Sequence, residues 1–400
     1  MIDMKKIIIV AVSCVLATAL YAAEIVPVGE INLSGGASFY EGESSASGGN
    51  FNIAAVPAVK FSENVVLLPG YYGNYRGSKS VYELIGGGTL YQDSMSHNFT
   101  LRLINKLSPD HKFKLKTGYV FNYFRETTDE DWGEGLFDFE KFTVGAESEV
   151  KNFMGMDKFI SSFDIMKVQF PEYESLASAL YGTEVFPGGR ILDFNGLNVY
   201  FRGLKKLNAK SIVDVNLNFM LKDFPDQNVI DSLGDYTLTK RADRTSALDM
   251  VYSRILGSFS AGLSLSGSVN RSNQDHYDAD EYKFVDKYYD YNSYSVGPVV
   301  SFGNNFQISC AYKYGIKNYE GRLVQQNTPL VPSTHGDYTN QKVKNKTHFV
   351  SLGSSYKLSK HLKAKLSANY FAQDSNQDYE AVYQYSYDTY NFDAGVVYEF

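Results

Sequence analysis

The chain has 400 residues, with 45 Asp and Glu against 38 Lys and Arg, so its formal net charge is −7. An acidic chain is a poor nucleic-acid binder, because phosphate contacts need a cationic face. No long apolar run follows the first twenty residues and the mean hydropathy is −0.27, which excludes helical membrane spans in the body of the chain.

The amino end has the features of an export signal. Lys5 and Lys6 precede an apolar run over residues 7–20, and the small residues Ala22 and Ala23 follow it. This pattern predicts a secretory signal peptide over residues 1–23 and leaves residues 24–400 as a single domain. Cys14 could suit a lipoprotein signal instead, but apolar residues continue well past it.

Residues 24–400 consist of alternating segments separated by short turns and longer polar connections. We predict an all-β fold of about 16 strands, with about 14 or 18 as alternatives, arranged as an antiparallel up-and-down transmembrane β-barrel. The predicted strands are 28–41, 51–62, 64–76, 92–107, 112–126, 139–153, 158–170, 194–206, 209–222, 244–256, 258–272, 288–303, 305–319, 343–358, 361–374 and 379–400.

Alternation at period two gives most of these strands one apolar and one polar face. Phe259, Ala261 and Leu263 share one face, for example, and Ser260 and Ser264 share the other. The apolar face could meet lipid or the core of a soluble sandwich. The length of the strands favours lipid, because about 9–11 residues cross a bilayer and most of these segments are longer.

Three segments depart from the simple pattern. Pro69 makes the register of 64–76 unclear, and Lys167 shares a face with Phe163 and Ile165, which predicts a β-bulge near Lys167. Residues 171–193 begin with a helical pattern and carry Arg190 beside a flexible Pro-Gly-Gly sequence. We expect this connection to fold inward as a constriction loop, with Arg190 as its candidate functional residue.

The last strand carries the most specific motif. Gly395, Tyr398 and Phe400 are spaced as a Gly, two residues, an aromatic residue, one residue and a closing Phe. This ending resembles the C-terminal assembly signal of bacterial outer-membrane β-barrels. The resemblance implies the outer membrane of a Gram-negative bacterium, short periplasmic turns and long extracellular loops. It also implies insertion by the outer-membrane barrel-assembly machinery, with phospholipid and lipopolysaccharide as surroundings.

Charged residues on the polar faces are the candidate pore-lining set. Cations outnumber anions among them, which would favour anions because rings of charge set selectivity in pores. Alternatively, both signs pair across strands and only keep a narrow lumen hydrated. The candidates are Lys60, Arg102, Lys114, Lys116, Lys141, Glu147, Arg202, Asp214, Asp249, Lys313, Lys363 and Lys365.

These features favour a porin-like pore that lets small polar or anionic solutes diffuse passively. The alternative is a non-conducting barrel that acts in adhesion, or in surface display or export of another protein. His276, flanked by Asp275 and Asp278, is the one histidine worth inspecting as a base. No nucleophile motif or zinc pattern accompanies it, so we expect no catalytic site, no metal and no cofactor. Lipid and small solutes are the expected partners, and homo-oligomerisation stays open.

Overall fold

The period-two segments form an antiparallel β-sheet that closes on itself. The computed structural model describes residues 24–41, 43–77, 93–125, 130–173, 190–278, 282–326, 337–377, 379 and 385–400. Within these residues the main sheet has 18 strands, of which β1 and β4 are short continuations of β2 and β3. The barrel wall therefore has sixteen strands, as the sequence predicts.

The strand bounds follow the chain order, and each strand of the wall pairs with its sequence neighbours. The first ten strands are β1 Glu24–Val26, β2 Gly29–Tyr40, β3 Glu43–Ala55, β4 Ala58–Lys60, β5 Val65–Arg76, β6 Asp93–Ser108, β7 His111–Arg125, β8 Phe139–Phe153, β9 Met156–Gln169 and β10 Phe194–Asn208. The others are β11 Ser211–Ile230, β12 Tyr236–Leu256, β13 Phe259–Ser272, β14 His276–Asp278, β15 Lys283–Val285, β16 Tyr291–Phe302, β17 Phe306–Gln326, β18 Asp337–Lys357, β19 Leu362–Ser375 and β20 Tyr387–Glu399.

Pairing of β2 with β20 closes the ring. The ladder runs from Glu30 opposite Glu399 to Tyr40 opposite Thr389. One step further, the backbone N–H groups of Gly29 and Phe400 each donate to the other residue's carbonyl oxygen at 3.0 Å. Closure matters because an open sheet edge would leave unpaired backbone polar groups, which hydrocarbon cannot satisfy.

Two prolines interrupt the first two strands of the wall, one near the start of the first strand and one near the end of the second. Pro27 separates β1 from β2, and Pro57 separates β3 from β4. Proline has no N–H to donate to a ladder. The neighbouring Val56 N–H donates to Val28 O at 2.8 Å, so pairing resumes directly beside the break.

The convex surface carries a band of exposed apolar side chains. Leu33, Phe99, Ile165 and Leu366 are 50%, 48%, 57% and 60% exposed. Large apolar surface left open on a soluble monomer is uncommon, whereas a transmembrane barrel turns such a band toward lipid. Among the described residues, no helix is long and apolar enough to span a membrane.

The two ends of the barrel differ in the length of their connections. At the short-turn end, Gly155, Gly257 and Gly303 adopt positive φ angles of 76°, 75° and 95°, which glycine accepts without steric cost. At the opposite, long-loop end, β11 and β12 extend as a hairpin to a tight turn over residues 231–235, and β17 and β18 are equally long.

These extensions correct several predicted boundaries. Parts of the expected loops at 223–243 and 320–342 are strand, namely 223–230, 236–243, 320–326 and 337–342, because the hairpins continue through irregular pairing after Asp223 and Asn318. β3 likewise begins at residue 43 and not at 51. Polar residues dominate these extensions, so the alternating apolar pattern that marks a lipid-facing strand is absent there.

Two other local expectations are settled by the register. Pro69 lies opposite Leu101 in an unbroken β5–β6 ladder. The predicted bulge at Lys167 is wrong, since this residue pairs regularly with Phe142 and Asn195. Lys167 is exposed three residues before Phe170 at the long-loop end, where a lysine can extend its ammonium group beyond the apolar band.

The packing of the Phe400 ring against Gly29 gives a test of how the β2–β20 pairing closes the barrel. A Cβ atom on Gly29 would overlap that ring, whereas the nearest atom to a Cβ on Gly35 lies 3.6 Å away. We expect Gly29→Ala to lower the free energy of unfolding by about 1–3 kcal/mol, as overpacking does. The matched control Gly35→Ala should leave it within about 0.5 kcal/mol. Urea unfolding in lipid vesicles measures the stability of both variants. Equal stabilities would contradict the proposed packing of Phe400 against Gly29.

Candidate functional site: the lumenal wall

Contacts between side chains two strands apart show which face of the sheet is concave. Lys116 on β7 lies 2.9 Å from Asp164 on β9, across Gly145 of the intervening β8. Asn50 on β3 donates to Asp393 on β20 at 3.4 Å, across β2. Curvature brings side chains together in this way on the inside of a sheet, and the exposed apolar band lies on the opposite face. The polar face is therefore lumenal.

The register places all twelve candidate pore-lining residues on this lumenal face. The structure pairs seven of them with opposite charges or with one another and leaves five without a salt bridge among the described residues. The paired residues are Lys60, Lys114, Lys116, Glu147, Arg202, Asp214 and Lys363. The five others are Arg102, Lys141, Asp249, Lys313 and Lys365.

An ion-paired wall runs along β7 to β9 in the half of the barrel nearest the short turns. Lys114 Nζ lies 2.6 Å from Glu147 and 3.0 Å from Glu149. Lys158 contacts Glu149 from the other side at 3.2 Å. Cross-strand pairs of opposite charge stabilise a sheet by about 0.2–1 kcal/mol each. The Lys-x-Lys-x-Lys sequence beginning at Lys112 faces Glu-x-Glu on β8, so this arrangement was readable from the sequence once the strands were paired.

The ion-paired wall continues onto β10 and β11. Arg202 forks onto Asp214, with Nε at 3.0 Å and Nη2 at 2.5 Å from its two oxygens. Such bidentate pairs fix geometry as well as charge. Glu24 with Lys60 and Glu399 with Lys363 add two pairs near the short turns. Most charges in this half of the lumen are therefore neutralised locally.

The charges left over are mainly cationic. Arg102 lies directly opposite Lys116, whose own charge is matched by Asp164. Lys141 and Lys313 also lack a salt bridge within the described ranges. Asp249 is the one anion among the candidates that lacks a salt bridge there. Of the five candidates without a salt bridge among the described residues, four are therefore cations and one is an anion.

A second set of lumenal cations, near the long-loop end, is held by aromatic rings. We call it the cation–aromatic strip. Lys222 Nζ lies 4.8 Å from the Phe194 ring centroid, and the Arg241 guanidinium lies 4.7 Å from the rings of both Phe224 and Tyr289. Arg241 also pairs with Asp243 at 2.7 Å. These distances are within the range of cation–π attraction.

The strip continues on β16 and β17. Lys317 Nζ lies 4.0 Å from the Tyr291 ring and 4.7 Å from the Tyr319 ring. The Arg322 guanidinium lies 4.3 Å from Tyr319 and 4.4 Å from Tyr288. The spacing of Lys317 and Tyr319 hinted at a shared face. Arg322 reaches the strip only through the irregular pairing after Asn318, which the sequence pattern did not indicate.

The connection between β13 and β16 lies against this strip. Its short hairpin β14–β15 contacts β17, and Asp278 accepts a hydrogen bond from Tyr338 of β18 at 2.7 Å. A Cβ on Gly321 would overlap the backbone of Asp286 and Lys287, so glycine is needed for this close approach. The approach places Tyr288 and Tyr289 on the lumenal side.

The predicted constriction loop is described only at its ends. Residues 174–189, with most of the expected helix, lie outside the described residues. Arg190 is exposed, and its carbonyl accepts the Asp193 N–H at 3.1 Å in the turn that enters β10. The inward segment that the structure does describe comes instead from residues 273–278 and 282–290.

His276 is part of that inward segment. Its ring lies 4.5 Å from the Tyr288 ring, and burial lowers its pKa below the ordinary value. Asp275 accepts the backbone N–H of Lys287 at 2.7 Å, so its carboxylate supports the loop. Across the described ranges, no group of three or more His, Cys, Asp or Glu side chains is placed to hold a metal ion.

Comparisons with known proteins give similarity in architecture only. No family model matches the chain, and no curated protein matches it. Among solved structures, the chain is similar to OmpT, an outer membrane protein of Vibrio cholerae, at 11% identity, 95% and 100% coverage of the two chains and a TM-score of 0.48. It is also similar to OccAB3 of Acinetobacter baumannii, at 9% identity, 94% and 99% coverage and a TM-score of 0.49.

A third similar structure is the FrpB iron transporter of Neisseria meningitidis, at 12% identity and a TM-score of 0.47. This chain is covered to 89% in that match and the transporter to 63%. Similarities at this level say nothing about function. The closed ring, the apolar convex band and the charged lumen are themselves those of a transmembrane β-barrel.

Gly145 provides a test of the ion-paired wall. A Cβ there would overlap Asp164 Oδ1, whereas a Cβ on Gly118 of the neighbouring strand would lie 3.4 Å from its nearest atom. We expect Gly145→Ala to displace Asp164 from Lys116 and to cost about 1–3 kcal/mol, with Gly118→Ala as the milder control.

A double-mutant cycle with Lys116→Met identifies the cause of that cost. If Gly145 matters because it leaves room for the Lys116–Asp164 pair, its substitution should cost less once Lys116 is already replaced. Unfolding in lipid vesicles measures each variant. Strictly additive costs would show that the ion pair does not depend on Gly145.

Proposed function

We propose that the chain is a porin-like pore through which small polar solutes, preferentially anions, diffuse passively. The observation that carries this proposal is a sixteen-strand closed ring whose concave face is polar and charged. Barrels of about 16–18 strands are wide enough to leave an aqueous path that side chains do not fill.

The anion preference rests on the distribution of charge in the lumen. Local pairs neutralise most of the acidic residues on the lumenal strands, among them Glu147, Asp164 and Asp214. Arg102, Lys141 and Lys313 have no such partner within the residues described. Their uncompensated charge would raise the local concentration of anions, since a charged lumen attracts counter-ions.

A non-conducting barrel that acts in adhesion or display is the second candidate. The β11–β12 hairpin favours it, because its tip exposes Leu233, Tyr236 and Leu238 by 76%, 64% and 98%. Exposed apolar groups at the long-loop end could contact another surface. In either case we propose that Gly395, Tyr398 and Phe400 serve as the assembly signal read by the outer-membrane insertion machinery.

Electrical recording separates the two candidates. The refolded protein without residues 1–23 should give stable, nanosiemens-scale current steps in a planar lipid bilayer. Heat-modifiable migration on gels is the control that the sample is folded. A folded protein that inserts into the bilayer and gives no steps would rule out the pore and favour adhesion or display.

Reversal potentials across a salt gradient test the preference for anions. We expect the wild-type pore to favour chloride over potassium, and the variant Arg102→Gln/Lys313→Gln to lose much of that preference. Lys167→Gln/Lys346→Gln is the matched control, because it also removes two positive charges, both from exposed residues of the convex face. A cation-selective wild type, or an equal shift in the control, would contradict the proposed role of the lumenal cations.

A further inference from the structure

Among the described lumenal cations held by aromatic rings, Lys317 and Arg322 are the two that have two rings and no carboxylate partner. Two tyrosine rings flank each of them, and neither has a salt-bridge partner among the described residues. On the ion-paired wall, by contrast, Lys114 and Lys116 each lie within 3.0 Å of a carboxylate oxygen. Arg241 has both kinds of partner, since it adds Asp243 to its rings.

The carboxylates nearest in sequence are engaged elsewhere. Glu320 lies between the two cations in the chain, but it faces the opposite side of β17 and pairs with Arg271 at 2.5 Å. It also accepts from Asn292 at 2.9 Å. Buried Asp290 accepts the backbone N–H of Ser272 at 2.7 Å. Among the described residues, Lys317 and Arg322 therefore have no carboxylate partner.

Aromatic rings hold a cation without neutralising it. The ring quadrupole attracts the ammonium or guanidinium group, but the ring carries no net charge. The N–H groups that point away from the rings therefore remain able to donate to an anion. Arg322 Nε is buried and makes no hydrogen bond to any described residue.

The inward connection places two tyrosine rings beside these cations on the lumenal side. Tyr288 and Tyr289 lie on the lumenal side because Gly321 lets residues 286–287 approach β17 closely. Tyr288 stacks on Arg322 and Tyr289 on Arg241, so the inward connection bridges the two parts of the strip. Burial lowers the pKa of neighbouring His276, so at neutral pH the positive charge here belongs to Lys317 and Arg322.

We propose that Lys317 and Arg322 form a binding site for small oxyanions, meaning solutes with carboxylate or phosphate groups, inside the long-loop mouth of the lumen. Tyr288, Tyr291 and Tyr319 position the two cations. The site rests on the proposed function, because it names the class of solute that the pore would select. Each charge-assisted hydrogen bond to the oxyanion would add to its affinity.

The test compares two charge-matched double variants. Lys317→Gln/Arg322→Gln removes the two lumenal charges. Lys344→Gln/Lys346→Gln removes two charges from exposed residues on the convex side of β18, opposite Asn318 and Ile316 at the same height. Citrate and inorganic phosphate serve as probes. Calorimetry on the detergent-solubilised barrel measures binding, and the chloride current through a bilayer measures block.

We expect the wild type and the Lys344/Lys346 control to bind the probes alike. The Lys317/Arg322 variant should bind about tenfold more weakly or worse, given the strength of a charge-assisted hydrogen bond. Tyr319→Leu keeps both charges but removes the ring they share, so it should weaken binding to a lesser degree. Preference for citrate assigns carboxylates, and preference for phosphate assigns phosphate esters.

The proposal is overturned if the Lys317/Arg322 variant, folded by its heat-modifiable migration, binds both probes as tightly as the wild type. It is also overturned if the wild type binds neither. Failure of the pore is a separate result, because calorimetry reads the site even when no current flows. A conducting wild type with no response to either probe would refute this site and leave the pore intact.

Discussion

The pairing of β2 with β20 is the constraint on which the rest of the structure depends. Hydrocarbon offers no hydrogen-bond partners, so every edge of a membrane sheet must be paired. Once the ring is closed, each residue has a fixed side, because side chains alternate along a strand. The same alternation that turns Leu33 and Phe392 toward lipid turns Ser34 and Asp393 toward the lumen. Lumenal chemistry is thus a consequence of register.

Within that lumen, charge is handled in two different ways. Near the short turns, cations face carboxylates on adjacent strands and the wall is close to neutral. Near the long loops, cations rest on tyrosine and phenylalanine rings. A carboxylate partner would cancel the field that a passing solute meets, whereas a ring restrains the side chain and leaves its field in place. The field that a solute would meet therefore comes from the ring-held cations and from the few cations nearer the short turns, such as Arg102 and Lys313, that have no salt bridge among the described residues.

The sequence predicted the architecture well because the signal repeats sixteen times. Alternation, turn residues and strand length each indicate the same barrel, and a mistake in one segment does not change the whole. The strands that extend past the lipid were harder to recognise. Residues 223–230 and 337–342 have no run of alternating apolar residues to mark them as strand. The regular pairing of Lys167 was misjudged because an outward lysine was read as a defect and not as a residue near the membrane surface.

The candidate site was predicted only in part. Parity along each strand was enough to place Lys114 and Arg202 on the lumenal face. It could not show which charges find partners, because that depends on which strands are neighbours and on gaps such as Gly145. The cation–aromatic strip was missed altogether. It needs the irregular pairing after Asn318 and the close approach at Gly321, and neither leaves a periodic trace in the sequence.

The pairing of β2 with β20 also has a consequence for how the barrel folds. Ser38 and Asn391 share a hydrogen bond of 2.7 Å although they are 353 positions apart in the chain. Contacts of such long range form slowly, since the entropy of a very large loop is lost before they reward it. Until then β2 and β20 are unpaired edge strands, which could pair with a neighbouring molecule and cause aggregation. A nascent barrel of this kind therefore avoids aggregation only if both edge strands stay covered until they pair.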